Sequence, residues 1–268
     1  MPRSDVFAPD FKPEPWWWEA ARPASGAQTP PPERADVCIV GGGYTGLNCA
    51  MELAQAGAAG GVLDAMKIGE GASSRNGGLV VGGLKLVSMN LAQQLGAERA
   101  RRFEIEAVGT LRWLEDMIGR ESIACDLAHV GRFSCAWSRS HYDAMAARVD
   151  KLTELTGEPV RMVPPERQRE EIGSDCYRGG QVLEGAATLH PAKYVAGLAE
   201  AARRRGAALV GSTRVLGMER ESGGWKVRTD RGEVRAKNVM LATNGYTGAE
   251  FPWFRRRLVP VASFMIAT

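Results

Sequence analysis

Gly41, Gly43 and Gly46 stand at G-x-G-x-x-G spacing in Gly41-Gly42-Gly43-Tyr44-Thr45-Gly46. Backbone amides freed of side chains at such a turn can cradle a pyrophosphate. The first glycine permits the tight turn and the second lets backbone approach phosphate. The third lets the following helix pack on the preceding strand. Asp64 lies about 20 residues further on, where a carboxylate accepts hydrogen bonds from ribose hydroxyls and repels a 2′-phosphate. A third group is Gly69-Glu70-Gly71-Ala72-Ser73-Ser74-Arg75-Asn76-Gly77-Gly78. It holds too many small and hydrogen-bonding residues for a core segment and too much glycine for a stable helix. Its amides and its Ser, Arg and Asn side chains suit a second stretch of the same ligand, and Arg75 offers a planar fork for oxygen atoms.

These groups need particular elements to hold them. Val37 to Val40 read as a strand buried on both faces, and Leu47, Ala50, Met51 and Ala54 recur at helical spacing. Val62-Leu63 leads into Asp64 as a second parallel strand. Ala58-Ala59-Gly60-Gly61 is a weak opening for it, so this strand is expected to be short or poorly packed at its start. A strand, glycine turn, helix, strand and acidic end form one half of a dinucleotide-binding α/β fold.

Together these stretches resemble the FAD-dependent D-amino acid oxidase superfamily, and within it most closely the gamma-glutamylputrescine oxidoreductase branch. That branch shares an aromatic leader before the first strand and an Arg-Asn-Gly-Gly segment after the second. Ser74 stands where a glycine is commoner, and Leu79 where a polar residue is commoner. The resemblance runs from residue 16 to 268 and matches the N-terminal part of such a protein, so the chain is expected to be truncated. It implies a Rossmann-like FAD-binding domain, formed by 36–125 and 186–268, with an inserted α+β substrate domain of which 126–185 is part. Residues 1–35 form a Pro- and Trp-rich leader. The implied cofactor is FAD and the implied substrate a small amine or amino acid, oxidised by hydride transfer to flavin. The implied FAD contacts are Gly41, Gly43, Tyr44, Thr45 and Gly46 at the pyrophosphate, and Asp64 at the ribose. Ser73, Ser74, Arg75, Asn76, Gly77 and Gly78 would lie between pyrophosphate and flavin. The resemblance also implies a backbone contact from Val215 to adenine, and a strand exit at Thr243, Asn244 and Gly245 beside the dinucleotide.

Other stretches invite structural readings. Trp16-Trp17-Trp18 is expected to lie across the domain surface with one or two rings buried. Residues 86 to 120 read as two helices, the second with Ile105, Val108, Leu111, Leu114 and Ile118 on its apolar face. A strand over Val130 to Trp137, a helix from His141 to Thr156 (with Met145, Val149 and Leu152 inward) and a strand over Pro159 to Val163 follow. Pro191 opens a helix whose inner face is Tyr194, Val195, Leu198 and Ala202. Short strands are expected at 208–210, 213–218, 225–229 and 239–243, and another at Phe264 to Thr268.

The chain has 268 residues, 44% of them hydrophobic, enough for one or two domains. Its 34 basic and 31 acidic residues leave a charge of +3, too balanced to argue for nucleic acid. No run of about 18 apolar residues offers a membrane span. Five dispersed cysteines (Cys38, Cys49, Cys125, Cys135, Cys176) form no C-x-x-C and no metal spacing, the pattern of reduced thiols in a cytoplasmic protein. His129, His141 and His190 read as surface, packing or capping residues, so no catalytic acid or base and no metal ligand is assigned. An NAD-dependent dehydrogenase would use the same glycines and Asp64 but leaves Ser73 to Gly78 without a role. A non-catalytic dinucleotide-binding remnant is the third reading.

Overall fold

In the computed structural model the chain divides into two units, Met1–Gly77 with Pro191–Thr268, and Gly78–His190. Residues 8–24, 29–82 and 91–265 are described. The first unit opens with a short 3-10 turn, Trp16–Glu19, and then strand β1, Arg34–Val40. Helix α1, Tyr44–Gln55, follows the glycine turn and buries Gly46, Leu47, Ala50 and Met51 on one face. Strand β2, Gly60–Leu63, is buried throughout. It is short, as its glycines suggest, but its start is well packed. A methyl on Gly61 would lie 3.1 Å from the Pro32 ring, and one on Gly60 would lie 3.8 Å from Ala50 Cα. Glycine here admits close neighbours on both sides.

The second unit begins at Gly78, not at the expected residue 126, because strand β3 (Leu79–Val80) pairs within it. Helix α2, Leu91–Leu95, and helix α3, Ala97–Glu121, are separated by Gly96 at φ +80°; residues 83–90 lie outside the described part. The buried stripe of α3 runs through Ala100, Glu104, Ala107, Met117 and Ile118, whereas Ile105, expected on the apolar face, is 51% exposed. Val108, Leu111 and Leu114 are half-buried as expected, while Glu104 turns inward and accepts from the half-exposed Lys151 Nζ at 2.7 Å. Strands β4 (Ala128–His129) and β5 (Arg132–Cys135) come next. In place of the single expected helix there are α4, Arg139–Ala146, and α5, Val149–Thr156. Strands β6 (Val160–Val163), β7 (Gly180–Leu183) and β8 (Ala187–Thr188) complete two three-stranded antiparallel sheets, β3-β8-β4 and β5-β7-β6.

The chain re-enters the first unit with helix α6, Pro191–Arg204, which packs on α1 through the expected inner face of Tyr194, Val195, Leu198 and Ala202. Strands β9 (Ala208–Val210), β10 (Val215–Glu221), β11 (Gly224–Thr229) and β12 (Gly232–Leu241) follow. They assemble with β1 and β2 into one sheet of order β10-β11-β12-β1-β2-β9. The last four positions are parallel and β10-β11-β12 is an antiparallel meander. Arg34 pairs with Arg235 and Val40 with Leu241, so the first strand of the unit is zipped to its last among the described residues. Cys38, Val40, Leu63, Val210, Val227, Val234 and Phe251 form a core on this sheet. A short helix α7, Pro252–Arg255, precedes a segment that carries no strand up to residue 265, with Val259 86% and Phe264 90% exposed. The strand expected over Phe264 to Thr268 is therefore absent from Phe264 and Met265, and Ile266 to Thr268 lie outside the described residues.

Candidate functional site

At the carboxyl ends of β1, β2 and β12, beside the N-terminus of α1, the first unit encloses a cavity of about 390 Å³. Such a crevice is where open α/β sheets take their ligands. Gly41 leaves β1 at φ +112°, and a Cβ there would stand 2.5 Å from the Ala242 carbonyl oxygen. Only glycine lets the exit of β12, pinned by Ala242 N–H to the Val40 carbonyl at 2.8 Å, lie against the turn. Gly43 is the N-cap residue of α1, and a methyl on it would meet Ser73 Oγ at 2.8 Å. Gly41, Gly43, Tyr44 and Thr45 all line the cavity. Gly46 does not; it is buried beneath the turn, where a methyl would overlap the Gly41 carbonyl oxygen.

Asp64 follows β2 and faces the same cavity. Its Oδ2 accepts the Gly42 N–H at 2.6 Å and its Oδ1 the Met66 N–H at 2.8 Å, which fixes the carboxylate below the glycine turn. Burial pushes its carboxyl above the ordinary aspartate value of 3.8, while the two amides pull the other way. A second lone pair on each oxygen remains for a ligand's hydroxyl groups.

The glycine-rich stretch supplies a third wall. Ala72–Ser74 form a 3-10 turn, and Gly71, Ala72, Ser73 and Asn76 line the cavity. Ser73 Oγ accepts the Tyr44 N–H at 3.0 Å, so this hydroxyl sits directly on the first turn of α1. Asn76 Nδ2 donates to Tyr44 Oη at 3.2 Å and to the Ser73 carbonyl at 3.1 Å. The other residues of the stretch turn elsewhere. Ser74 is fully buried, and Arg75 is exposed with Nε donating to the Glu70 carbonyl at 2.8 Å. Gly77 and Gly78 do not line the cavity, and Gly78 already belongs to the second unit.

Val215 lines the cavity together with Thr213 and Arg214, two neighbours that sequence reasoning left out. Thr213 is fully buried; its hydroxyl donates to the Gly211 carbonyl at 3.1 Å and accepts from Arg231 Nη1 at 3.0 Å, and its N–H bonds the Asp64 carbonyl. A polar residue just before a strand of apolar beginning was the signal for it. At the other strand exit Thr243 and Asn244 line the cavity and Gly245 does not. Asn244 sits at φ +47°, a conformation asparagine tolerates. Tyr246 and Glu250, also unforeseen, complete this edge.

The histidines stand apart from this cavity. His129 Nε2 is 2.9 Å from Glu115, His141 follows a Ser138 N-cap, and His190 is buried with its N–H on the Cys125 carbonyl. All five cysteines are free thiols, and burial pushes Cys38 up to about 12. Among the described residues no cluster of His, Cys, Asp and Glu could hold a metal, and no helix is long and apolar enough to cross a membrane.

Comparison with known proteins places this geometry among relatives. The family model described as "FAD dependent oxidoreductase" matches residues 36–268. A probable oxidoreductase OrdL of Rhizobium meliloti is 32% identical over 255 residues, covering 94% of this chain and 59% of that protein. Gamma-glutamylputrescine oxidoreductase of Escherichia coli is 31% identical over 242 residues, 87% of this chain and 54% of that protein. The chain thus spans somewhat over half the length of the curated relatives it matches. Glycine oxidase from Geobacillus kaustophilus superposes with a TM-score of 0.65 at 24% identity, over 80% of this chain and 56% of that one. L-amino acid deaminase from Proteus vulgaris does so at 0.65 and 20%, over 82% and 49%. At those identities the two structures speak for the fold alone.

Proposed function

The chain belongs to the FAD-dependent oxidoreductase family, and from that premise we propose that its first unit holds FAD and that the whole protein oxidises an amine or amino acid. One observation carries the reading: the glycine turn, Asp64, Ser73 and Asn76, from three separate elements of one segment, line a single cavity. The residues fit the cofactor chemically. A Cβ at Gly43 would press on Ser73 Oγ beside the first turn of α1, where the Thr45 amide and the helix dipole favour a pyrophosphate. Asp64 takes the adenosine ribose and its charge disfavours a 2′-phosphate. Ser73 and Asn76 serve the segment between pyrophosphate and flavin, and the Val215 backbone serves the adenine edge. Thr243 and Asn244 flank the dinucleotide. Gly46, Ser74, Arg75, Gly77, Gly78 and Gly245 do not line the cavity.

FAD held here would supply a hydride acceptor for the substrate carbon that bears nitrogen, leaving an imine that water would hydrolyse to a carbonyl compound and an amine or ammonia. This chain's residues anchor and orient the cofactor. The second unit, which contains residues 126–185, is read as part of the substrate domain. The amine class is suggested by the relative named gamma-glutamylputrescine oxidoreductase, and the free cysteines support a reducing, cytoplasmic setting. The Ser73–Asn76 wall is what favours FAD over NAD, since both dinucleotides would use the glycines and Asp64.

An absorbance spectrum of the purified protein, before and after incubation with FAD, tests the proposal. Flavin bands retained after gel filtration and bleached anaerobically by an amine are the expected result. No flavin bands, together with bound NAD, would overturn it in favour of a nicotinamide enzyme; bands that no amine bleaches would favour a binding remnant.

A further inference from the structure

The Trp16–Glu19 turn precedes the dinucleotide fold, yet it reaches one short stretch of the cofactor wall twice. Trp17 Nε1 donates to the Asn76 carbonyl at 2.8 Å, and Trp18 Nε1 donates to Ser74 Oγ at 3.0 Å. The Arg75 guanidinium, between those two residues in sequence, lies over the Trp18 ring at 4.6 Å. Three consecutive residues, Ser74, Arg75 and Asn76, are thus each held by the leader. A leader that merely shelters its indoles would need apolar contact. It would not need both N–H groups aimed at one polar loop.

That loop has a cavity side as well. Ser73 and Asn76 line the cavity, Ser73 Oγ on the Tyr44 amide and Asn76 Nδ2 on Tyr44 Oη. Glycines at 69, 71, 77 and 78 leave the backbone of the stretch unusually free, so its shape must be imposed from outside. The leader imposes it through bonds spanning 56 and 59 residues.

We infer that Trp17 and Trp18 are positioning residues for FAD: their indole N–H groups fix the Ser73–Asn76 wall in its cofactor-ready form, and the aromatic leader thereby sets cofactor affinity. The inference rests on the FAD reading above. The W17F/W18F double variant keeps aromatic rings while deleting both donors. W16F is the control, because Trp16 is 59% exposed and only stacks edge-on against Trp17 at 5.1 Å.

Three measurements are made on each full-length protein. These are FAD affinity from flavin fluorescence, the rate of tryptic cleavage at Arg75–Asn76 without FAD, and Tm. Two lost hydrogen bonds of about 0.5–1.5 kcal/mol each correspond to a roughly 5- to 150-fold weaker Kd. Cleavage at Arg75–Asn76 is expected to accelerate by a similar factor, with other tryptic sites unchanged and W16F like wild type. Unchanged FAD affinity in the double variant, or cleavage that rises evenly at every site, would overturn the inference and leave a purely structural leader. If wild type itself takes up no FAD, the cofactor reading fails, and the Arg75–Asn76 cleavage rate still decides whether the leader clamps the loop. Should the double variant not fold, W18F alone carries the comparison, with an expected loss of about 3-fold or more.

Discussion

Replacing Gly46 by alanine separates folding from binding at the glycine turn. A methyl on Gly46 would sit more than 1 Å inside the 3.0 Å separation from the Gly41 carbonyl oxygen below which real Cβ contacts essentially never fall, and 3.2 Å from Ile39 Cγ2. Bending a bond angle by about 7° costs about 1 kcal/mol and moves a methyl by only about 0.2 Å. Because the cost rises quadratically, angle strain cannot absorb the overlap. The obstacle is backbone, so the turn must move and disturb the Gly41 N–H to Leu63 carbonyl bond at 2.8 Å. The cost belongs at the upper end of overpacking penalties, about 3 kcal/mol. For a chain of this size that lowers Tm by roughly 6–12 °C. Gly43→Ala behaves differently. Its methyl meets only Ser73 Oγ at 2.8 Å, the end of a side chain that can rotate away at the loss of one bond to Tyr44 N–H, about 1 kcal/mol. Differential scanning calorimetry and FAD titration on both variants provide the assay. Gly46→Ala should melt several degrees earlier than Gly43→Ala, while Gly43→Ala should stay folded and lose FAD binding. A Gly46→Ala protein within about 1 °C of wild type would refute the steric reasoning.

Other expectations follow from Asp64, Thr213 and Cys38. The Asp64 carboxyl is raised in the folded protein, so the native state binds its proton more readily than the unfolded chain. Its contribution to stability is present below 3.8 and lost as pH rises through the folded value. FAD titrations from pH 4 to 8 should show affinity falling on acidification with a midpoint above 3.8, and Asp64→Asn should be weaker throughout and lack that transition. Thr213→Val removes a buried hydroxyl that links Gly211 and Arg231, and should cost about 1–3 kcal/mol in urea unfolding. Iodoacetamide labelling read by mass spectrometry should modify exposed Cys176 quickly and leave Cys38, at about 12 and fully buried, untouched in native protein.

The sequence disclosed the cradle because its parts are local and stereochemically demanding. The requirement for glycine at Gly41, Gly43 and Gly46 is a backbone rule. The helical period after Tyr44 and the acid after Leu63 lie within one βαβ unit. What escaped depends on partners distant in the chain. Ala242 against Gly41, Pro32 against Gly61 and Trp18 on Ser74 leave no periodic trace in either partner. On α3 only Ile105 of the expected face is exposed; the buried stripe takes Glu104 beside it, which an apolar count rejects and an ion pair with Lys151 permits. Likewise Glu250 reaches the cavity by tertiary placement that no motif encodes.

The pairing of β1 with β12 has a consequence for synthesis. Arg34 and Arg235 are neighbours in the sheet but about two hundred residues apart in the chain. At roughly 5–20 residues per second, a ribosome exposes β1 for about 10–40 s before its partner emerges. During that interval β1 can pair on one side only, with β2, and one flank of an apolar strand stands open to other chains. Gly78–His190, by contrast, pairs its strands among segments made within that window. The cradle is therefore among the last parts of the described chain to close, and a nascent protein depends on chaperones most at the strand that carries the glycine turn.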